Sequence, residues 1–471
     1  MTMKTSVLAF DFGASSGRAI KAVLDDGALV WEEIHRFENI PLRQGGYLRW
    51  DFEALMENVH VGIAKAGTVD SIGFDTWGLD FGLLDGEGKL LENPVHYRDT
   101  RTLGIAEQAC RKVPAARLYR WTGTQIMDMN TLFQLCTVDL SQIDKLLFMP
   151  DLLAYMLCGQ AVCERSVAST SQMLDPKTGQ WSEHVLNAFA IPGRIFAPLV
   201  SSGTVIGTYG DAKIIAIAGH DTQCAVAAMP TQREDVAFLS CGTWSLLGTE
   251  LQEPILTERS KRMALSNELG ANGKINYLKN IVGLWLIQES RRAWQSAGMD
   301  YSYAQLEHLA LGAKPLQCFI DPDGPEFVPA GDIPFRVQEF CRKTKQQVPE
   351  TVGEIMRCIY ESLALKYRYA IDQLQDMTGR PFSALHMLGG GVKDRLLCQM
   401  TANSTRLPVI AGPTEATALG NILIQLVALG QLESIGQGRQ LLEDSEKLLR
   451  YTPEQSAQWE TAYQKFVKIV L

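Results

Sequence analysis

The first forty residues combine short apolar runs with glycine- and serine-rich interruptions. The run Val7–Phe10 leads into the segment 11–17, a second run covers 18–24, and an Asp-Gly pair separates it from a third run at 28–34. Short β-rich runs separated by such turn residues are typical of antiparallel strands. The pattern therefore predicts a strand, a glycine-rich turn and two further strands in a meander.

The same order of runs recurs in the middle of the chain. Val236–Ser240 leads into Cys241-Gly-Thr-Trp, and a second apolar run follows at 245–249. This repeat starts close to half-way along the 471 residues, which indicates two similar domains facing each other. A polar stretch near 229–235 places the boundary, so we expect domains at residues 1–229 and 230–471. A chance likeness between two hairpins is the alternative reading.

Helical and alternating periodicity predicts further elements. They are helices at 51–66, 354–375 and 392–403, a helix starting at Lys279-Asn280, and strands at 69–74 and 384–388. In the predicted helix start, Asn280 is either a capping residue or a donor to a ligand.

Composition narrows the possible functions. The chain has 46% hydrophobic and 21% charged residues, which is typical of a globular protein, and its net charge of −9 disfavours a nucleic-acid partner. Its ten cysteines include no C-x-x-C pair, so we expect reduced, mostly buried thiols and no zinc or redox site. No apolar run approaches the roughly 20 residues of a membrane span, and no signal peptide is evident. We therefore expect a cytoplasmic protein with no membrane partner.

The turn after the first strand has the residues of a phosphate site. Its small and hydroxyl side chains leave backbone N–H groups free to face an anion, and Arg18 adds positive charge. Asp11 ends the strand and suits a water-mediated contact with Mg²⁺. A plain β-hairpin is the alternative interpretation. The turn residues are Ala14, Ser15, Ser16 and Gly17.

Two segments of the second half offer the same chemistry. Ser240–Thr243 places hydroxyl groups around a glycine turn, and Gly389–Gly391 stands between a predicted strand and a helix, where backbone can approach a nucleotide closely. Neither has the spacing of a Rossmann or P-loop motif.

Two segments of the first half carry carboxylates beside predicted strand ends. Asp221 follows the apolar run 214–218 and suits a general base that takes a proton from a substrate hydroxyl, or else a capping residue hydrogen-bonded to His220. Asp75 and Asp80 flank a tryptophan and a glycine, which suits a polyhydroxylated ligand. A core tryptophan between two turn-capping aspartates is an equal alternative for that segment.

Four motifs together resemble the FGGY family of carbohydrate kinases. They are Asp-x-Gly-x-Ser-Ser-x-Arg at 11–18, Gly-His-Asp-Thr at 219–222, Ser-x-Gly-Thr at 240–243 and Gly-Gly-Gly at 389–391. Their order and spacing cover nearly the whole chain. The resemblance implies an α/β fold with two ribonuclease-H-like, actin-like ATPase domains flanking an interdomain cleft.

The resemblance also implies an activity: ATP-dependent phosphorylation of a ketose, with ATP and Mg²⁺ as cofactors. Further similarity at 75–81, 130–135 and 278–288 points to L-rhamnulose, phosphorylated at its C1 hydroxyl. By the same resemblance Asp221 is the base, and Asp11 faces Mg²⁺ through water. The implied sugar contacts are Gly78, His220, Asp221, Thr222 and Asn280. The implied ATP contacts are Ala14, Ser15, Ser16, Gly17, Arg18, Thr243, Gln288 and Gly390.

The sequence is also compatible with other activities. Gln223 and the segment 170–175 are similar to kinases of L-fuculose, so another ketose is the nearest alternative. An actin-like or chaperone-like ATPase without sugar transfer is the alternative of a different class. A sugar-responsive repressor would need a DNA-binding helix-turn-helix before the first strand, for which the sequence leaves no room.

Overall fold

The computed structural model describes residues 4–470 as an α/β protein. Its strands are 2 to 11 residues long, and most belong to a six-stranded or a seven-stranded sheet. They are Thr5–Phe12 (β1), Ser16–Asp25 (β2), Ala28–Glu38 (β3), Leu42–Gln44 (β4), Tyr47–Arg49 (β5), Ser71–Thr76 (β6), Phe81–Leu84 (β7), Lys145–Phe148 (β8), Cys163–Glu164 (β9), Leu174–Asp175 (β10), Gln180–Trp181 (β11), Leu199–Val200 (β12), Thr204–Tyr209 (β13), Ala212–Ala216 (β14), Val236–Cys241 (β15), Trp244–Leu251 (β16), Ser266–Leu269 (β17), Ile275–Val282 (β18), Ala384–Leu388 (β19), Val409–Ala411 (β20) and Leu449–Tyr451 (β21).

The α-helices range from one turn to 27 residues. They are Phe52–Ala66 (α1), Ile105–Lys112 (α2), Ala115–Thr122 (α3), Thr131–Leu135 (α4), Met149–Cys158 (α5), Arg165–Ser169 (α6), Glu183–Phe189 (α7), Asp221–Ala227 (α8), Glu258–Arg262 (α9), Trp285–Ser296 (α10), Tyr303–Gly312 (α11), Ile333–Lys343 (α12), Val352–Thr378 (α13), Arg395–Thr405 (α14), Ala416–Ala428 (α15), Ile435–Ser445 (α16) and Ser456–Val470 (α17). Short 3-10 turns cover Thr100–Thr102, Gly193–Ile195, Pro325–Phe327 and Gly390–Lys393.

Contacts between residues group the chain into two compact units, each built from three stretches. The described residues of the first unit are 4–232, 250–277 and 416–445, and those of the second are 233–249, 278–415 and 446–470. The second unit lies entirely after the expected boundary at residues 229 and 230, but the first unit also contains residues 250–277 and 416–445 from beyond it. The domain boundary at 229 and 230 therefore stays a prediction.

The sheet of the first unit has the order β13-β14-β6-β1-β2-β3. The predicted meander is confirmed: β1, β2 and β3 are antiparallel neighbours. On the other side, β1 runs parallel to β6, and β6 runs parallel to β14. Phe10 and Phe74 stack across β1 and β6 with ring centroids 5.1 Å apart, which helps to fix the register of these buried strands.

Five strands of the second unit follow one another in a similar way, in the order β16-β15-β19-β20-β21. The hairpin β15–β16 is antiparallel, and β15, β19 and β20 are parallel neighbours. The recurrent hairpin of the sequence is therefore also a recurrent topology, with a hairpin followed by parallel strands in each sheet.

Two predicted elements of the second half are placed differently. Asn280 does not begin a helix, because Ile275–Val282 is a strand; β-branched Ile281 and Val282 favour extended backbone, and α10 starts only at Trp285. The helix expected at 392 begins at Arg395, since a 3-10 turn comes first and Asp394 caps α14 through the Leu397 N–H.

The structure also describes the state of the cysteines and the character of the helices. All ten cysteines are free, and seven of them are buried. Among the described residues, no helix combines the length and the apolar character needed to cross a bilayer.

Candidate active site

Three carboxylates of the first unit stand at the ends of neighbouring parallel strands. Asp11 on β1 is the register partner of Asp75 on β6. Next to Asp75, Thr76 forms a parallel bridge with His220, and Asp221 follows immediately in the chain. Because parallel strands present their carboxyl ends at one edge of a sheet, sequence positions far apart supply one acidic cluster.

Asp221 is placed by the start of helix α8. Its Oδ1 accepts the backbone N–H of Thr222 at 2.6 Å and lies 3.2 Å from the Thr222 hydroxyl. The side chain keeps 35% of its surface exposed, so a substrate can reach it. Partial burial and the charge of Asp11 raise the pKa of Asp221, against the opposing influence of His220. These features suit a carboxylate that accepts a proton.

His220 lies between two acids. Its Nδ1 is 3.2 Å from Glu268 Oε2, and its Nε2 is 3.3 Å from Asp221 Oδ1. Glu268 is held in turn by Gln223 Nε2, which donates to the same Oε2 at 2.6 Å. Burial disfavours a charged imidazole, yet Glu268 and Asp221 outweigh it and raise the pKa of His220. The pair of acids therefore favours an imidazolium beside the candidate base.

Asp75 is buried and is held from helix α15. Asn421 Nδ2 donates to Asp75 Oδ2 at 2.7 Å, while Asp75 Oδ1 has no hydrogen-bond partner among the described residues. Burial and the charges of Asp11 and Asp221 raise the pKa of Asp75 well above its ordinary range. Helix α15, which carries Asn421, packs closely against α8. A Cβ on Gly420 of α15 would lie 1.8 Å from the Cys224 carbonyl oxygen of α8.

The predicted phosphate turn joins β1 to β2. The Gly13 N–H donates to the Ser16 carbonyl at 2.8 Å, and Asn39 binds the carbonyls of Gly13 and Ser15 through its side chain and its backbone. Asn39 thereby occupies the carbonyl oxygens of Gly13 and Ser15, while the Ser15 side chain is exposed. Ala14 and Ser16 are half-buried, and Gly17 is buried.

Two contacts next to this turn concern Arg18 and Gly17. Arg18 forms an ion pair with Asp11, its Nη2 donating to Oδ2 at 2.6 Å. The residue predicted to bind phosphate is thus paired with the carboxylate predicted to face Mg²⁺. Gly17 packs against Phe37: a Cβ there would lie 2.2 Å from the ring, so a larger residue would displace it.

The segment after β6 is built around Asp80. Its carboxylate accepts from Trp50 Nε1 at 2.7 Å, from Trp77 Nε1 at 3.0 Å, from the Tyr97 N–H and from Gln134 Nε2. Burial raises the pKa of Asp80 to about 6 in spite of these donors. Protein donors thus occupy Asp80, which favours its structural interpretation over direct sugar binding.

Gly78 lies in the same turn with little space around it. A Cβ on Gly78 would lie 3.1 Å from Thr170 Oγ1, and the next residue, Leu79, has a φ of 78°. The Leu79 N–H donates to Thr170 Oγ1 at 3.3 Å. The backbone at Gly78 is therefore held in place by Thr170, the residue that follows α6.

In the second unit, the turn between β15 and β16 is bound to the start of α10. The Gly283 and Trp285 N–H groups both donate to the Thr243 carbonyl at 3.2 Å. The Thr243 hydroxyl lies 3.4 Å from Gln288 Oε1. Thr243 and Gln288, both predicted ATP contacts, are therefore neighbours. Asn280 is half-buried on β18.

The glycine triplet of the second unit lies close to the same turn. A Cβ on Gly391 would be 2.3 Å from Cys241 Sγ, whereas Gly390 is exposed with nothing within 4 Å of such an atom. Gly389 has a φ of 83°, which a side chain would disfavour. The triplet therefore presents bare backbone beside the hairpin turn.

The predicted site residues divide between the two units. The first unit holds Asp11, Ala14, Ser15, Ser16, Gly17, Arg18, Gly78, His220, Asp221 and Thr222. The second unit holds Thr243, Asn280, Gln288 and Gly390. Sequence reasoning missed Asn39, Glu268 and Asn421, none of which has a local motif that could have revealed it.

Family models match almost the whole chain. Residues 6–230 match the N-terminal domain of the FGGY family of carbohydrate kinases, and residues 237–429 match its C-terminal domain. The chain is 40% identical to a rhamnulokinase from Bacteroides thetaiotaomicron, over 99% of this chain and all of that protein. It is 36% identical to a rhamnulokinase from Bacillus subtilis, over 98% of each.

Solved structures agree on the fold. A gluconate kinase from Lactobacillus acidophilus aligns with a TM-score of 0.80 at 18% identity, covering 99% of this chain and 98% of that one. A glycerol kinase from Plasmodium falciparum, solved with ADP, aligns with a TM-score of 0.77 at 15% identity, covering 99% and 98%. The expected pair of actin-like, ribonuclease-H-like ATPase domains is thereby confirmed. The carboxylates at the strand ends, the glycine turns and the two matched domains identify the chain as a member of the FGGY family of carbohydrate kinases, the enzymes that transfer a phosphoryl group from ATP to a sugar.

Proposed function

We propose that this enzyme is a rhamnulokinase, which transfers the γ-phosphoryl group of ATP to the C1 hydroxyl of L-rhamnulose in the cytoplasm. The identity of the substrate is inferred from one observation, the likeness to seven curated rhamnulokinases at 36–40% identity over at least 94% of this chain. The acidic site of the first unit supports the chemistry.

Asp221 is the base in this proposal. Its carboxylate takes the proton of the C1 hydroxyl as the oxygen attacks the γ-phosphorus, and the bond from that phosphorus to the leaving oxygen of ADP breaks. Its partial exposure and its place at the N-terminus of α8 support this role. General bases contribute roughly 10²- to 10⁴-fold, while positioning and charge stabilisation supply most of the remaining acceleration of a phosphoryl transfer.

His220 serves as a positioning residue and a sugar contact. With Glu268 on one ring nitrogen, the imidazole directs its other N–H towards Asp221 and stabilises the carboxylate form of the base. Thr222 fixes the same carboxylate through its backbone N–H. Gly78 and Asn280 complete the proposed sugar contacts.

Nucleotide binding is assigned to the two hairpin turns and the glycine triplet. Ala14, Ser15, Ser16, Gly17 and Arg18 would offer N–H, hydroxyl and guanidinium donors to phosphate oxygens. Thr243, Gln288 and Gly390 would hold the rest of ATP. The adjacency of Thr243 and Gln288, and the bare backbone at Gly390, support this assignment.

The residues present fit a magnesium ion. Mg²⁺ prefers carboxylate and water oxygens and keeps several of its waters, and Asp11 offers a carboxylate next to Asp75 at the strand ends. Asp11 would hold the ion through water. When bound, Mg²⁺ neutralises charge on the phosphates, and the protein's own part is to orient the carboxylate that faces it.

A panel of acceptors tests the proposal. Production of ADP with MgATP is measured against L-rhamnulose, L-fuculose, L-xylulose and glycerol at matched concentrations, and the position of the phosphate is determined by NMR. We expect kcat/KM for L-rhamnulose to exceed that of each other acceptor by about tenfold or more, which is about 1.4 kcal/mol of discrimination.

Each other result has a definite meaning. Preference for L-fuculose would replace the substrate while keeping the kinase, and Gln223, which holds Glu268 behind His220, would then be the first residue to exchange. ADP release that no sugar stimulates would contradict the proposal at the level of the reaction.

A further inference from the structure

Three cysteines of the second unit meet although no motif joins them. Cys318 lies in the irregular segment between α11 and α12, Cys341 in the last turn of α12, and Cys358 in the second turn of α13. Their sulfur atoms all lie within 4.8 Å of one another. The three are free and buried, as expected, but the lack of a C-x-x-C pair gave no sign that they would lie together.

The three thiols are enclosed by protein. Cys318 is 4% exposed, Cys341 is not exposed, and Cys358 is 1% exposed. None of them belongs to the candidate active site described above.

Hydrogen bonds fix the segment that carries Cys318 to both helices. Gln346, just after α12, accepts the Phe319 N–H at 2.9 Å and donates to the Phe319 carbonyl at 2.7 Å. Ser362 of α13 accepts the Ile320 N–H at 2.9 Å and donates to the Cys358 carbonyl at 2.6 Å. These bonds hold the backbone next to Cys318 against both helices, as in a preorganised ligand set.

The distances suit thiolate coordination of one ion. Metal–sulfur bonds of about 2.3 Å place sulfur atoms about 3.8–4.0 Å apart in tetrahedral or trigonal geometry, which lies inside the observed limit. Thiolates select soft cations such as Zn²⁺ and Cu⁺ and discriminate against Mg²⁺ and Ca²⁺. Within the described part of the chain, no His, Asp or Glu joins this cluster as a fourth ligand.

Space next to the cluster is also favourable. A small cavity of about 10 Å³ touches Cys318 and Cys358, and the charged residues that line it are Lys314, Glu354, Arg357 and Glu361. Arg357 Nε lies 2.7 Å from Glu361 Oε1, so the positive and negative side chains around the cavity balance. The cavity is close to the roughly 10–15 Å³ that one water needs, which leaves a place for a water ligand.

We propose that Cys318, Cys341 and Cys358 bind one thiophilic d¹⁰ metal ion, Zn²⁺ or Cu⁺, as a structural site that clamps the 313–320 segment to α12 and α13. Binding converts the thiols to thiolates and releases their protons to solvent. A Zn²⁺ ion takes water as its fourth ligand, whereas Cu⁺ is satisfied by three sulfurs. The site is independent of sugar phosphorylation.

Thiol protection in the full-length wild-type enzyme tests this directly. The reduced, metal-free protein is titrated anaerobically with Zn²⁺ in one arm and Cu⁺ in the other, alkylated, and its cysteines are assigned by peptide mass spectrometry. We expect one metal ion per chain, protection confined to Cys318, Cys341 and Cys358, and a higher Tm. The arm with the tighter binding identifies the ion.

Variants provide the matched comparison. Cys341→Ser removes one ligand and should weaken binding at least about tenfold. Cys398→Ser removes another buried cysteine of the same unit outside the cluster and should bind as the wild type does. If Cys341→Ser does not fold, the wild-type protection pattern decides alone. Equal alkylation with and without metal, or a disulfide between two of the three cysteines in the protein as purified, would overturn the proposal.

Discussion

Glu268 Oε2 lies 3.2 Å from Nδ1 of His220, on the side of the ring opposite to Asp221. Both side chains are buried, so the charge on Glu268 acts through a medium that screens it weakly. The relationship connects β17 to the start of α8. It makes the protonation of His220, and through it the affinity of Asp221 for a proton, depend on a residue that is not among the proposed sugar contacts.

Glu268→Gln should move the acid limb of the pH profile. The neutral amide removes the charge that favours the imidazolium, and His220 in turn stabilises Asp221 as a carboxylate, so the pKa of Asp221 should rise further. We expect kcat/KM to fall about tenfold near pH 6 and less at pH 8, with the acid limb shifted to higher pH.

The matched control for Glu268 is Glu250→Gln. Glu250 is another acid of the first unit, and its partner is Arg439 at 2.9 Å. Its substitution should leave the acid limb in place. An unchanged pH profile for Glu268→Gln, with folding intact, would contradict the role given to Glu268.

Asp80→Asn should change how stability depends on pH. The pKa of Asp80 is raised to about 6 from its ordinary value of 3.8, so the folded state binds the proton more tightly than the unfolded state does. The favourable contribution of protonated Asp80 is fully present below about pH 4 and is lost as the pH rises through 6. Urea unfolding at pH 4 to 7 should therefore show a steeper decline for wild type than for the variant. Parallel curves would exclude a titrating Asp80.

Gly420→Ala should damage the support of the base. Its new Cβ would meet the Cys224 carbonyl oxygen at 1.8 Å and force α15 away from α8, the helix that begins at Asp221. We expect a loss of about 1–3 kcal/mol in the free energy of unfolding, together with a lower kcat. Gly436→Ala in α16, where the nearest atom is 3.5 Å away, should leave both nearly unchanged. Equal stability of the two variants would refute the close contact.

Much of the fold follows from local chemistry in the sequence. The glycine- and serine-rich turn at 11–17 and the Asp-Gly pair predicted the β1–β2–β3 meander, and Cys241-Gly-Thr-Trp predicted the β15–β16 hairpin. The structure confirms both. Turn residues and side-chain alternation act over a few positions, so a single sequence reveals them. The helix expected at Asn280 was wrong because helical spacing in a short apolar run cannot be told from a buried strand.

The supporting residues of the site lie outside the reach of such reasoning. Asn421 reaches Asp75 from a helix near the other end of the chain, and Glu268 reaches His220 from β17. The cysteine cluster likewise depends on a loop and two helices that only tertiary packing brings together. Long-range contacts of this kind leave no periodicity or spacing in the sequence.

The base assignment is tested most directly by the turnover of Asp221→Asn with L-rhamnulose and MgATP. The amide keeps the size and hydrogen bonding of the side chain but cannot take up the proton, so kcat should fall by roughly 10²- to 10⁴-fold. Binding of ATP, measured by calorimetry, should stay close to that of wild type, since Asp221 is not among the proposed nucleotide contacts. A kcat within about threefold of wild type in the folded variant would contradict the assignment of Asp221 as the base.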